Sequence, residues 1–173
     1  MTKLKKSNSS SLKIHVYPAP ILKKKAKSLR FIGDEERKLF DAMIELMQQA
    51  GGVGLAANQV GLDKQMLVID IGTGPIKIAN PKITKRSGRK AMEEGCLSLP
   101  EIIVKVKRAE HVVVKGINEQ NVEIKFDAHN LLARVFQHEL DHLKGKLIID
   151  YAPWYRKILL QKKFALSSKE KKK

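Results

Sequence analysis

Two histidines and a glutamate near the carboxyl end form the pattern in this chain that is best suited to chemistry. His138, Glu139 and His142 occur in the order His-Glu-x-x-His, within a stretch whose apolar residues repeat at helical spacing. Residues four apart lie about 40° apart around a helix, so both imidazoles point to one spot where a metal ion can bind. The carboxylate of Glu139 projects beside them and can accept a proton from a metal-activated water.

The same helix is predicted to turn its histidines toward the protein interior. Leu131, Val135, His138 and His142 follow a 4-3-4 spacing, which defines one inward face. The simpler interpretation is a pair of buried histidines that are satisfied by hydrogen bonds. Burying two imidazoles and a carboxylate together costs free energy, and that cost favours a metal site.

A catalytic metal site of this kind needs a third protein ligand and an open position for water. Only Asp150 and Glu170 follow the helix as acidic candidates, whereas Cys96 is the sole cysteine and lies in a Gly-Cys-Leu-Ser setting. A thiolate is a strong soft ligand, so Cys96 is the preferred third ligand. The alternative for a lone cysteine is a small, buried, apolar residue.

Bulk composition limits the classes of function. The 173 residues are 43% apolar, which suits one globular domain, and no apolar run is long enough to span a membrane. A single cysteine excludes an internal disulfide framework and fits a reducing compartment. The net charge of +16 belongs to the two ends, because residues 31–150 hold equal numbers of basic and acidic residues. A neutral body argues against a nucleic-acid-reading domain, whereas basic ends suit either contact with a polyanion or solubility alone.

The helices and strands that would position the candidate ligands and catalytic residues are predicted from hydrophobic periodicity and turn residues. Asp34 is expected to cap the start of one helix, and Gly51-Gly52 is expected to end it. Asp127 is expected to cap the histidine helix, and Gly145 to end it. The segments expected as strands are 65–70, 76–79, 81–85, 102–106, 111–116, 122–126 and 147–149, and a last helix is expected after Pro153.

Three stretches, taken in order, resemble the signature motifs of the peptide deformylase family. They are Gly-Val-Gly-Leu-Ala-Ala-Asn-Gln at 52–59, Glu-Gly-Cys-Leu-Ser at 94–98 and Gln-His-Glu-Leu-Asp-His at 137–142. Three motifs in one order are far more specific than any one alone, and the resemblance covers roughly residues 14–160. It implies an α+β fold in which antiparallel sheets pack around a central metal-binding helix, with a C-terminal helix.

The resemblance also implies a role for each residue that matches a motif. The expected metal ligands are Cys96, His138 and His142. The expected general base and acid is Glu139, the expected oxyanion donors are the Gln59 side chain and the Leu97 backbone N–H, and the expected substrate contacts are Val53 and Gly54. The oxyanion would be the negatively charged oxygen that forms when water adds to the substrate carbonyl.

The implied activity is metal-dependent hydrolysis that removes the formyl group from the N-formylmethionine of newly made polypeptides and releases formate. The expected cofactor is one divalent ion, Fe²⁺ natively, although Zn²⁺, Ni²⁺ or Co²⁺ can occupy such a site. The expected partners are nascent N-formylmethionyl chains, and ribosomal RNA is a candidate contact for the basic C-terminal region. The protein is expected to be a bacterial cytoplasmic monomer that binds no membrane, with an organelle as the minor alternative.

The domain organisation is expected to be simple. Residues 1–13 are predicted as a disordered basic extension, 14–165 as one catalytic domain and 166–173 as a flexible basic tail. Two positions depart from the family pattern. Ile103 stands where many relatives carry arginine, and Arg134 stands near apolar pocket-wall positions, where its charge is expected to point outward along its apolar stem.

Three other functions are compatible with parts of the sequence. A zinc endopeptidase of the His-Glu-x-x-His type would take Glu or His as its third ligand. A nucleic-acid-binding protein with a structural zinc would need a closed set of four ligands. A cysteine hydrolase would use Cys96 as its nucleophile. The other histidines, His15, His111 and His129, have no expected partners and are predicted to be structural or exposed.

Overall fold

A computed structural model describes residues 12–160. The predicted α+β class is confirmed, with the bounds α1 Asp34–Gln49, β1 Gly54–Ala56, β2 Met66–Ile69, β3 Ile76–Ser87, β4 Lys90–Cys96, β5 Leu99–Arg108, β6 His111–Ile117, β7 Glu123–His129 and α2 Asn130–Leu143. Short 3-10 turns lie at Pro20–Lys23, Ala57–Val60 and Ile148–Tyr151, and residues 154–160 are helical, as predicted for the C-terminal helix. The predicted basic extension and tail lie outside the described residues, apart from residues 12 and 13.

One antiparallel sheet separates the two long helices. Its strand order is β1-β2-β3-β6-β7, and β4 and β5 form a separate hairpin. All four residues of β2 are buried because both faces of the sheet are covered. Met66 and Val68 pack with α1, whereas Leu67 and Ile69 pack with Phe136 of α2. This arrangement holds α2 firmly against the sheet, which stabilises the position of every side chain that the helix carries.

Helix α2 has one apolar face and one polar face that is nevertheless buried. Phe136 and Leu140 of the apolar face join the sheet core. Arg134 and His138, by contrast, reach the β4–β5 hairpin, where Arg134 donates to the Val106 carbonyl at 3.1 Å. The predicted inward seam is partly wrong, because Leu131 is half exposed at the rim of a cleft.

The predicted cap of α1 is wrong by one residue. Gly33 is the cap, its N–H donates to the Glu36 carboxylate at 3.0 Å, and Asp34 is the first helical residue.

The start of α2 also differs from the prediction. Asp127 does not cap the helix, because it still belongs to β7 and its side chain lies against His111. The helix begins after His129, and Asn130 at the junction has a positive φ of 50°. The strand therefore continues three residues further than expected, since its ladder with β6 continues as far as the pair His111 and His129.

Three other local predictions are corrected by tertiary contacts. Asn80-Pro81 is a bulge within one continuous strand β3, where Asn80 has a φ of 48°. Residues 147–149 were expected as a strand, but residues 148–151 form a 3-10 turn that closes when Leu147 N–H donates to the Asp150 carboxylate at 2.9 Å. Strand β4 was missed because its Lys-Ala-Met-Glu-Glu run has low β propensity, and it exists through pairing with β5. No helix within residues 12–160 combines the length and apolar character needed to cross a membrane.

The end of α2 provides a test of backbone packing. Gly145 has a φ of +71°, and an added Cβ would lie 2.7 Å from the Lys23 carbonyl carbon. Gly72 has a φ of +93° but nothing within 4 Å of an added Cβ, so it serves as a matched control. We expect Gly72→Ala to lower the free energy of unfolding by about 1 kcal/mol. Gly145→Ala should cost about 2 kcal/mol more, because it adds overpacking to the same backbone strain.

Urea unfolding of the two variants measures this difference. Equal losses in the two proteins would contradict the prediction, since they would show that the segment around Lys23 moves aside at no cost.

Candidate metal centre and substrate cleft

Three ligand-type side chains from two distant segments meet between α2 and the end of β4. The Cys96 Sγ lies 3.2 Å from His142 Nε2, and His142 Nε2 lies 3.3 Å from His138 Nε2. The three donor atoms lie within 4.8 Å of one another. His142 is 1% exposed, whereas Cys96 and His138 are partly open to the cleft. The structure therefore brings together the three residues predicted as metal ligands.

The spacing of these atoms fits one small metal ion. Two nitrogens that bind a tetrahedral ion at about 2.05 Å lie about 3.3 Å apart, and a thiolate sulfur lies about 3.6 Å from such a nitrogen. Burial lowers the pKa of His142, which keeps its imidazole in the neutral form that binds metals. The His138 Nδ1–H donates to Glu94 at 3.0 Å, so its Nε2 lone pair faces the other two donors.

Glu94 is a buried anion that binds three cationic or N–H donor side chains beside the metal ligands. Its carboxylate accepts from Arg108 Nε at 2.6 Å, from Arg134 at 2.5 Å and from His138. Burial alone would raise its pKa, but the hydrogen bonds from His138 and Arg108 outweigh burial and lower the pKa of Glu94 to about 2. The group is therefore a carboxylate at neutral pH, and it stabilises the orientation of His138.

Arg108 continues the network to the far side of α2. Its Nη1 donates to Asp141 at 2.7 Å, and the Tyr151 hydroxyl donates to the same carboxylate at 2.7 Å. The guanidinium carbon also lies 5.2 Å from the centre of the Tyr151 ring. Because Arg108 bonds both to Glu94 on β4 and to Asp141 on α2, it ties the hairpin to the helix beside the metal ligands.

Glu139 lies against the edge strand β1, where the backbone comes unusually close. Its carboxylate is 3% exposed, and its Oε2 has no hydrogen-bond partner among the described residues. Burial raises the pKa of Glu139 to about 7. Gly54 makes this position accessible, because a Cβ there would overlap the carboxylate and lie 2.8 Å from Val135 Cγ1. An unpartnered buried oxygen of this kind is suited to hold a water or a substrate proton.

The Gln59 side chain is fixed beside Cys96. Its Oε1 accepts from the Ala56 N–H at 2.8 Å, and its Nε2 donates to Ser98 Oγ at 3.1 Å. The same Nε2 lies 3.9 Å from Cys96 Sγ. The amide group therefore has one orientation, and its remaining N–H is directed at the Cys96 sulfur.

A cleft of about 420 Å³ opens over these groups. Val53 and Leu131 are 44% and 50% exposed at its rim. The predicted site residues that line the cleft are Val53, Gly54, Gln59, Cys96, Leu97, His138 and Glu139. His142 lies behind them, in contact with the other donor atoms.

The two residues that depart from the family pattern, Arg134 and Ile103, lie in different environments. The expectation that Arg134 points outward is wrong, because the side chain is 8% exposed and its charge is paired with Glu94. Ile103 is 53% exposed on β5 and does not line the cleft. The roles of Glu94, Arg108 and Arg134 as one ion-pair cluster were not predicted, because their sequence separations of 14 and 40 residues give no periodic signal.

Fold and site together define the class of protein: a metal-dependent hydrolase with a candidate metal site of one thiol and two imidazoles and a buried carboxylate beside it. The model of the family "Polypeptide deformylase" matches residues 11–157. The peptide deformylase of Thermodesulfovibrio yellowstonii is 46% identical over 160 residues, covering 88% of this chain and 96% of the relative. That of Halothermothrix orenii is 48% identical over 141 residues, covering 80% and 92%.

Solved structures agree with the sequence relatives. The Thermotoga maritima peptide deformylase has a TM-score of 0.79 at 41% identity, covering 80% of this chain and 95% of that one. The Ehrlichia chaffeensis enzyme in complex with actinonin has a TM-score of 0.86 at 32% identity, covering 91% and 98%. The chain belongs to the polypeptide deformylase family. It is a metal-dependent hydrolase that removes the formyl group from N-formylmethionine, and the zinc endopeptidase alternative is not favoured.

The buried cluster around Glu94 yields a stability prediction. Glu94→Ala leaves two buried arginines short of a counter-ion, so we expect it to lower the free energy of unfolding by about 3–5 kcal/mol. Glu123→Ala is the matched control, because the Glu123 carboxylate forms an exposed ion pair with Lys115. We expect no measurable change for that variant. Chemical denaturation of both proteins makes the comparison, and a similar small effect in both would contradict the role given to Glu94.

Proposed function

We propose that Cys96, His138 and His142 hold the metal ion of this deformylase, and that Glu139 transfers the protons. The observation that carries the proposal is the convergence of three donor atoms within 4.8 Å, next to a buried carboxylate oxygen that has no hydrogen-bond partner within residues 12–160. A divalent ion bound there would polarise the formyl oxygen and lower the pKa of a water molecule.

The chain's own groups would then perform the proton transfers. Glu139 would accept the proton of the attacking water at its free Oε2 and donate it to the leaving amine nitrogen. As the water oxygen bonds to the formyl carbon and the C–N bond breaks, the products are formate and a peptide with a free amino terminus. Gly54 contributes by leaving space for the carboxylate beside the substrate.

The negative charge that develops on the formyl oxygen needs donors that are already in place. We assign this role to the remaining N–H of the Gln59 amide and to the backbone N–H of Leu97. The bonds from Ala56 N–H to Gln59 Oε1 and from Gln59 Nε2 to Ser98 support the first assignment, because they hold the amide rigid. Loss of one such donor typically lowers the rate by about 10²–10³-fold.

The substrate peptide is proposed to bind along β1 and to place its methionine side chain in the cleft. Strand β1 stands at the end of the sheet order and pairs only with β2 among the described strands. Its other edge can therefore accept strand-like hydrogen bonds from a peptide beside Val53 and Gly54. Leu97, Leu131 and Val135 supply apolar surface to the same cleft, which suits a methionine side chain.

The metal is proposed to be Fe²⁺ in the native enzyme. The sulfur and two nitrogens at this site are also compatible with Zn²⁺, Ni²⁺ and Co²⁺, so their affinities alone do not select iron. Metal analysis of protein that was purified without oxygen decides the identity.

The central experiment measures formate released from a formyl-Met tripeptide together with the metal content of the same sample. We expect Glu139→Gln to lower formate release by about 10²–10⁴-fold while one metal ion per chain is retained. Glu110→Gln is the control for loss of a glutamate charge outside the cleft, and it should retain full activity. Cys96→Ser should lose most of its metal. Unchanged release by Glu139→Gln would refute the assigned role of this carboxylate.

We also propose that the protein acts as a monomer in the bacterial cytoplasm and that its basic C-terminal region contacts ribosomal RNA. Residues 161–173 hold six lysines and one glutamate. Their removal should weaken binding to ribosomes and reduce its dependence on salt, because fewer counterions would be released. Co-sedimentation at low and moderate salt tests this, with a tail of equal length in which serine replaces lysine as the control. Unchanged binding would exclude this contact.

A further inference from the structure

A second group of ligand-type side chains lies at the end of the β6–β7 ladder, away from the catalytic cleft. His111 begins β6 and His129 ends β7, and the two residues are direct partners in the antiparallel register. Asp127 lies two positions before His129 and so projects from the same face of its strand. Ser87 of β3 is the ladder partner of His111 on its other side. Three neighbouring strands thus bring these four side chains into one row.

The imidazoles are oriented toward one carboxylate oxygen. His111 Nε2 lies 2.5 Å from Asp127 Oδ1, and His129 Nε2 lies 3.2 Å from the same atom. The two rings stack with centroids 4.3 Å apart and planes within 8° of parallel. Ser87 Oγ lies 3.0 Å from His111 Nδ1, and this contact holds the His111 ring with its Nε2 toward Asp127. The three donor atoms lie within 4.8 Å of one another.

This donor set has a defined metal preference. Two imidazole nitrogens and one carboxylate oxygen suit borderline ions such as Zn²⁺ or Cu²⁺, whereas Mg²⁺ and Ca²⁺ prefer sites made of oxygen alone. Without a metal, each ring must supply its own proton to the shared oxygen. A single cation bound between the three donor atoms would interact with both nitrogen lone pairs and with the carboxylate at once. Its remaining coordination positions face solvent, because Asp127 and His129 are exposed.

We propose that His111, Asp127 and His129 form a second, solvent-facing site for a divalent transition-metal ion of the zinc type. The ion links the start of β6 to the last residue before α2, the helix that carries His138 and His142. Because such binding requires the folded ladder, the ion stabilises the folded state by an amount that rises with the logarithm of its free concentration above the dissociation constant.

Calorimetric titration with Zn²⁺ tests the proposal on full-length protein whose catalytic site already holds zinc, so that exchange of metals gives no signal. We expect one further Zn²⁺ ion to bind and the melting temperature to rise with it. His111→Ala and His129→Ala should each weaken this second binding by about tenfold or more. His15→Ala is the matched control, since His15 is exposed elsewhere on the surface, and it should bind as the unaltered protein does. Mg²⁺ at the same concentration should not bind there.

Formate release by each variant shows whether it remains folded, because none of the substituted side chains lines the cleft. Nitrogen-15 imidazole spectra of the unaltered protein provide a second measurement that needs no substitution. Addition of Zn²⁺ should shift the Nε2 signals of His111 and His129. The proposal is overturned if the zinc-loaded protein takes up no second ion, if His111→Ala and His129→Ala bind it as tightly as the unaltered protein, or if the shifts fall on His15 instead.

Discussion

The ion-pair cluster centred on Glu94 is the interaction on which the catalytic arrangement depends most. One carboxylate joins Arg108 of β5, Arg134 of α2 and His138 of α2. Each of these charges would be costly to bury alone, and together with Asp141 they form a group of two cations and two anions. The cluster places the hairpin, the helix and one imidazole in a single geometry, so the position of Cys96 at the end of β4 follows from it.

The second constraint is the close approach of strand β1 to helix α2. Glycine at position 54 allows the strand backbone to lie against Glu139 and Val135. The carboxylate is thereby enclosed enough for burial to raise its pKa, yet it lies at the floor of an open cleft. Polar chemistry at this site therefore depends on the close approach of the β1 backbone to the side chains of Glu139 and Val135, which Gly54 of the first motif permits.

The two histidine clusters have similar ligand types but differ in burial and in the groups that support them. Both contain two imidazoles, but His138 and His142 lie between packed elements, whereas His129 is exposed at the edge of a sheet. The first cluster has a thiol and a buried network behind it. The second has a carboxylate and a hydroxyl within a surface ladder. The buried set is the proposed catalytic metal site. The exposed set is the proposed second site, where a bound ion would act by stabilising the folded state.

Local patterns in the sequence predicted the helices and strands that are determined mainly by interactions between near neighbours. Helical spacing identified α1 and α2, Gly145 marked the end of α2, and β-branched runs located most strands of the sheet. Contacts between distant segments decided the rest. Strand β4 forms despite low propensity because β5 pairs with it, and Asp127 joins a strand rather than a helix cap because the ladder continues to His129.

By itself the sequence determined the three motifs, and with them the donor types, the family and the residues expected to act. This was possible because ligand type and helical spacing are properties of single residues and their near neighbours. Only the tertiary structure decided that Arg134 turns inward to Glu94, that Arg108 links hairpin to helix, and that His111 meets His129. These arrangements join residues separated by 14 to 40 positions, and charge pairing or strand register across such distances leaves no periodic mark in a sequence.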